Sequence, residues 1–247
     1  SSDLNDNEIL TANRNSLQLF DMLHSMRQFD DLTYVHSVNV ALIASILGQW
    51  LKFSEKDIRI LTISGLLHDI GKIMIPNEIL TKPGKLTVAE YNIMKQHVNF
   101  GYEKVKNQNI DIRIKEACLL HHEKCDGTGY PFGLKSDHIP AVAKIIAIAD
   151  VYDAMTSARV YRGALCPFEV IDTMYKDAFT KFEPEYILPF LKNVASSYIN
   201  NDVRLSDGRI GKVVLINENA LSLPIVQCED EFIDLSKTRG LTVSAIL

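Results

Sequence analysis

Apolar positions recur with a helical period along most of this chain. Leu19, Met22, Leu23 and Met26 form one such stripe. The segment from Thr33 to Lys52 is apolar on most sides, as a central buried helix should be. Ser54 with Asp57, and Thr87 with Glu90, have the S/T-x-x-D/E spacing of helix starts, and Pro167 suits the first turn of another helix. The stretch IPNEILTKPGKLT (75–87) carries two prolines and a glycine, which predicts a loop with at most a short helical turn. The texture changes near residue 201. VRLSDGRIGKVVLI places β-branched residues around Asp207-Gly208, a hairpin signal, and LPIVQCEDEFIDL and LTVSAIL also read as strands. The pattern predicts a mainly α protein: an N-terminal helix or linker over 1–30, a helical domain to about residue 200, and a small β-rich appendage over 201–247. So short an appendage makes a marginal core and should lean on the helical part or on a partner.

Polar residues interrupt the apolar stripes at telling places. His36 shares a helical face with Val40, Ile43 and Leu47, and His68 with Leu61, Ser64 and Gly65. His97 lies with Ile93 and Met94, His121 with Ile114, Ala117 and Cys118, and Asp150 with Ala143, Ile146 and Ala147. A lone inward histidine is usually a hydrogen-bonded core residue. Five such coincidences on separate helices point instead to one shared metal site, because buried imidazoles and carboxylates are costly unless paired or metal-bound. His24 and His138, beside charged or turn residues, read as surface histidines. His68 and Asp69 are adjacent and reach the same cluster if their helix ends there. A carboxylate can bridge two cations and a neutral imidazole cannot, so Asp69 is the natural bridge and His68 a terminal ligand. Paired ions of this kind can hold the attacking and leaving oxygens of a phosphoryl transfer.

Composition narrows the field further. The net charge of −5 argues against a general nucleic-acid or membrane-surface protein, so an anionic ligand must be held by local positive charge. No apolar run looks like a membrane span, and no secretory pattern opens the chain. Together with the absence of CxxC spacing among Cys118, Cys125, Cys166 and Cys228, this predicts reduced thiols and a cytoplasmic location. The first residues, SSDLNDNEIL, lack a methionine and fit a segment of a longer protein.

HDIGK (68–72) together with HHEKCDGTGYP (121–131) resembles the HD-GYP phosphodiesterases, a subgroup of the HD-domain metal hydrolases. His36, His97 and Asp150 stand in the family's order, and AIADVYDAMTSARVYRGA (147–164) is similar to the segment that follows the GYP loop. The likeness covers about residues 30–195 and implies an HD-type helical bundle. It implies hydrolysis of cyclic di-GMP, a bacterial second messenger, to linear pGpG and in some members on to GMP. One divalent metal would then be held by His36, His68, Asp69 and Asp150, and a second by Asp69 as bridge with His97, His121 and His122. Some members hold a third metal through a Glu one turn before the first His. Here that position is Leu32, behind Asp30 and Asp31, so two metals are expected. Asn39 replaces an Arg that the family often has. The all-nitrogen-and-oxygen donor set favours Fe or Mn and leaves Zn and Ni open.

Metals held there would supply a hydroxide nucleophile for attack on phosphorus, and Lys72, three residues after Asp69 and so its neighbour on a helix, is expected to bind phosphate, with proton delivery to the leaving oxygen as a further role. By the resemblance, Gly129, Tyr130 and Pro131 lie near the substrate, and Arg159 and Arg162 clamp phosphates. Glu123 is expected to orient a ligating imidazole from outside the ligand set, with Asp126 beside it in the turn. Two other readings stay open: a hydrolase of another cyclic dinucleotide such as cyclic GMP-AMP, and a cyclic di-GMP receptor acting through a partner protein with little turnover. An upstream sensory domain and a homodimer are further expected partners.

Overall fold

The computed structural model describes residues 22–28, 30–157 and 165–247, and these form two compact units that divide after Asp150. In the first unit, residues 22–28 are helical (α1) and bury Met26. Leu19 of the same predicted stripe lies outside the described residues. The long helix α2 (Asp31–Trp50) begins at Asp30, whose carboxylate accepts the N–H groups of Leu32 and Thr33. By length and composition α2 could cross a membrane, a property the sequence reading did not assign to it. In the fold it buries Val40, Ala44 and Leu47 in the core and packs along α3 (Glu55–Leu67). Gly65 lets these two helices touch: a Cβ there would lie 2.5 Å from the Ala41 Cα.

Ser54 caps α3 through the Asp57 N–H, as its spacing predicts. The α-helix then stops at Leu67 and passes into a 3-10 turn, Ile70–Met74. The proline-rich stretch after it forms one helical turn, α4 (Asn77–Leu80). Thr87 and Glu90 make both halves of a capping box for α5 (Val88–Met94). The helices α6 (His97–Val105), α7 (Ile112–Leu120) and α8 (Ala141–Thr156) follow, with the GYP loop between α7 and α8.

The second unit holds the last residues of α8, then α9 (Pro167–Asp177), α10 (Pro184–Ser197) and a five-stranded antiparallel sheet. Pro167 occupies the first turn of α9. The strands are β1 (Asp202–Leu205), β2 (Ile210–Leu215), β3 (Ile225–Cys228), β4 (Glu231–Asp234) and β5 (Val243–Ile246), in the order β4-β3-β2-β1-β5. Asp207-Gly208 turns β1 into β2, with Gly208 at φ +93°. The fold is thus mainly α with a small C-terminal sheet, and that sheet packs on α9 through β5.

Candidate metal centre

Five α-helices and a 3-10 turn bring the predicted residues to one point in the first unit. His36 comes from α2 and His68 from the end of α3, while Asp69 enters the 3-10 turn. His97 opens α6, His121 and His122 leave the end of α7, and Asp150 lies in α8. Termination of α3 at Leu67 allows neighbours His68 and Asp69 to share the cluster. Gly71 fixes the next contact: a Cβ there would collide with the His97 carbonyl, so the turn and α6 meet backbone to backbone.

Asp69 is 1% exposed, and its two oxygens face different groups. Oδ2 lies 3.3 Å from His68 Nε2 and 3.7 Å from His36 Nε2. Oδ1 lies 3.4 Å from His97 Nε2 and 3.9 Å from His121 Nε2. Asp150 approaches from the other side, with Oδ1 3.0 Å from His36 Nε2 and Oδ2 3.9 Å from His122 Nδ1. Two donor sets follow: His36, His68 and Asp69 in one, and Asp69, His97, His121 and His122 in the other. Asp69 belongs to both, the arrangement a bridging carboxylate requires.

Three imidazoles are aimed by backbone carbonyls three or four residues before them in the chain. The Nδ1 atoms of His68, His97 and His121 lie 2.8, 2.7 and 2.9 Å from the carbonyls of Gly65, Met94 and Ala117. A carbonyl only accepts, so each Nδ1 carries the proton and each Nε2 turns a lone pair toward the centre. Burial drives the pKa of His97 and His121 down, and neighbouring imidazoles push His121 lower still, so the rings stay neutral. His122 is held down at about 3, again chiefly by burial. Burial opposes the charge on Asp69, but Lys72, His68 and His97 outweigh it and keep the carboxyl ionised. The His68 Nε2 and Asp69 Oδ1 atoms are buried with no hydrogen-bond partner. Neutral imidazoles, ionised carboxylates and orphaned acceptors together fit a cation.

Lys72 extends from the 3-10 turn, and its Nζ contacts Asp69 Oδ2 at 2.5 Å. Tyr130 stacks on His122, with ring centroids 4.7 Å apart and planes at 28°. Gly129 is what lets the loop close so tightly, since a Cβ there would lie 2.5 Å from both the Glu123 Cα and the His122 carbonyl. The Tyr130-Pro131 peptide is cis. Glu123 does not do what the sequence suggested. Its carboxylate is 4% exposed and accepts the N–H groups of Phe132 at 2.7 Å and Leu134 at 2.8 Å, so it ties down the GYP loop and orients no imidazole. Asp126 likewise serves the turn, accepting from the N–H and hydroxyl of Thr128. Leu32 is 60% exposed and Asp30 is engaged as the α2 cap. His24 and His138 are on the surface, as expected. Arg159 and Arg162 lie outside the described residues. The four cysteines are free thiols, and burial pushes that of Cys118 up to about 12.

Sequence reading passed over Gly71 and Lys95. Gly71 stands inside the HDIGK motif, where a glycine among bulky neighbours signals a close backbone approach. Lys95, two residues before His97, carried no signal of its own.

Fold and site define a helical domain with a buried histidine–carboxylate cluster that could hold metal at the meeting of its helices. The chain belongs to the HD-domain family, whose model matches residues 4–186, and it carries the HD-GYP loop. It is 35% identical over 228 residues to a cyclic di-GMP phosphodiesterase of Pseudomonas aeruginosa, covering 92% of this chain and 55% of that protein. It is 36% identical over 158 residues to a 3'3'-cGAMP-specific phosphodiesterase of Vibrio cholerae, covering 63% of this chain and 30% of that one. The chain therefore spans about half or less of these relatives. An HDG"Y"P protein from Bdellovibrio bacteriovorus shares the fold, with a TM-score of 0.53 and 23% identity over 63% of this chain and 50% of that one.

Proposed function

We propose that this chain is a metal-dependent phosphodiesterase that hydrolyses cyclic di-GMP to pGpG, with GMP as a further product, in the bacterial cytoplasm. The observation that carries the reading is Asp69, whose two oxygens face two separate sets of imidazoles. The likeness to a cyclic di-GMP phosphodiesterase of Pseudomonas aeruginosa, over 92% of this chain, is in keeping with this substrate. His36, His68, Asp69 and Asp150 would hold one divalent ion, and Asp69, His97, His121 and His122 a second, with Fe or Mn favoured. When bound, such a pair supplies a water nucleophile active at neutral pH and neutralises charge on the phosphate.

The protein's own groups do the rest. The Nδ1–H bonds of His68, His97 and His121 keep three Nε2 atoms aimed inward. Lys72, beside the bridging carboxylate, is placed to bind a phosphate oxygen and to give a proton to the leaving oxygen. Glu123 holds the loop so that Tyr130 covers His122 and limits water at that edge. A hybrid cyclic GMP-AMP is the second substrate reading, favoured by the likeness to the Vibrio cholerae enzyme. The test measures metal content and product on one preparation, loaded anaerobically with Fe(II) or Mn(II). About two ions per chain and release of pGpG, both lost in Asp69→Ala, support the reading. Binding without product would favour a receptor, and absence of metal would overturn the site.

A further inference from the structure

A cyclic dinucleotide carries two phosphates, and Lys72, beside the bridging carboxylate, is placed for the one being cut. Among the described residues, Lys95 is a cation close to this site without an anion beside it. It caps the C-terminal end of α5, and its Nζ lies over two aromatic rings, 5.3 Å from the Tyr91 centroid and 5.9 Å from that of Tyr130. No carboxylate among the described residues pairs with it, whereas Lys72 and Lys82 are engaged by Asp69 and Glu90. Its backbone is pinned on both sides: the Lys95 N–H bonds the Tyr91 carbonyl, and the preceding Met94 carbonyl receives the His97 Nδ1–H. The Lys95 side chain is thus registered to a ligand helix and points at the ring that stacks on His122.

We propose that Lys95 is a second phosphate-binding residue, holding the phosphate of the cyclic dinucleotide that is not being cleaved. Tyr91, 49% exposed, forms the outer wall of this subsite. Aromatic faces attract an ammonium without neutralising it, so they keep Lys95 extended and leave its three N–H donors for an anion. Lysine binds phosphate as a point charge and tolerates the rotation of a phosphodiester better than a fixed fork would. The assignment rests on the phosphodiesterase reading and adds a determinant of substrate size to it.

The test compares Lys95→Met and Lys95→Arg with the unaltered protein, each loaded with Mn(II) and assayed on cyclic di-GMP and on bis(p-nitrophenyl) phosphate, which has one phosphate. Methionine keeps the packed stem and removes the charge. For cyclic di-GMP, KM should rise roughly 10- to 100-fold in Lys95→Met, the loss expected for a charged hydrogen bond, with kcat changed little. Lys95→Arg should restore most of this, and turnover of bis(p-nitrophenyl) phosphate should be unchanged in both. Equal losses on the two substrates would make Lys95 a support of the metal centre and overturn the proposal, as would an unchanged KM in Lys95→Met. Unaltered protein that cleaves bis(p-nitrophenyl) phosphate but no cyclic dinucleotide would instead overturn the functional reading beneath it.

Discussion

Removing the carboxylate of Glu123 separates the loop from the metal centre more cleanly than any change to a ligand. Glu123 is 4% exposed and holds the N–H groups of Phe132 and Leu134 at 2.7 and 2.8 Å. Both are hydrogen bonds to a charged acceptor, each contributing about 1.5–3 kcal/mol. Glu123→Ala should therefore cost about 3–5 kcal/mol, part of which water regains as the loop loosens. At about 2–4 °C per kcal/mol for a chain of this size, the unfolding midpoint should fall by roughly 6–20 °C. Glu123→Gln keeps one acceptor and turns an NH2 toward the other donor, so it should fall between Glu123→Ala and the unaltered protein. No ligand is removed, so metal stoichiometry should survive in both variants while KM for the dinucleotide rises. Thermal unfolding, metal content and steady-state kinetics on the same samples read all three. If Glu123→Ala lost its metal while the midpoint held, the carboxylate would be serving a ligand and the loop-anchoring argument would be wrong.

Three other expectations follow from the same geometry. Gly71→Ala forces a methyl group into the His97 carbonyl, and overpacking of about 1–3 kcal/mol should appear as weaker metal retention in equilibrium dialysis; full retention would refute the backbone contact. Asp69→Asn should lower metal content by more than His36→Ala, since Asp69 faces both donor sets and His36 one; elemental analysis showing equal losses would deny the bridge. In chelator-treated protein, His97, His121 and His122 titrate below the unfolded-state value of 6.5 because burial resists their charge. The unfolded chain thus takes up protons first as pH falls, and stability should be lost below pH 6.5 at up to about 1.4 kcal/mol per pH unit for each ring. Asp69 and Asp150 have lowered values and add their own loss only nearer pH 4 and below. Urea midpoints at pH 7.5 and 5.5 measure this, and a higher midpoint at 5.5 would contradict it.

Much of the centre was legible because its grammar is local. A histidine on an apolar helical stripe must face inward, and His68 and His121 do; His97 is buried as well, but it opens α6, while Ile93 of its predicted stripe belongs to α5 and is exposed. The caps at Ser54 and Thr87 and the Asp207-Gly208 turn are written within a few residues of the structure they make. Glu123 was misread because its partners, Phe132 and Leu134, are backbone groups nine and eleven residues away across a turn, and no side-chain pattern encodes them. Lys95 was silent for a similar reason: its neighbours Tyr91 and Tyr130 come together only once α5 and the GYP loop are placed. Pairing of β5 beside β1 is equally non-local and could not be read from strand spacing.

Each of His68, His97 and His121 is steered by a carbonyl three or four residues earlier on its own stretch of chain. Every ring therefore behaves as a fixed vane on its helix. The coordination polyhedron is then inherited from how the helices cross, and the glycine contacts at Gly65 and Gly71 act as its adjusting screws. Ion preference in such a centre can drift without any ligand being exchanged: a substitution where Ala41 meets Gly65 would swing His36 against His68 and reshape the space offered to the ion.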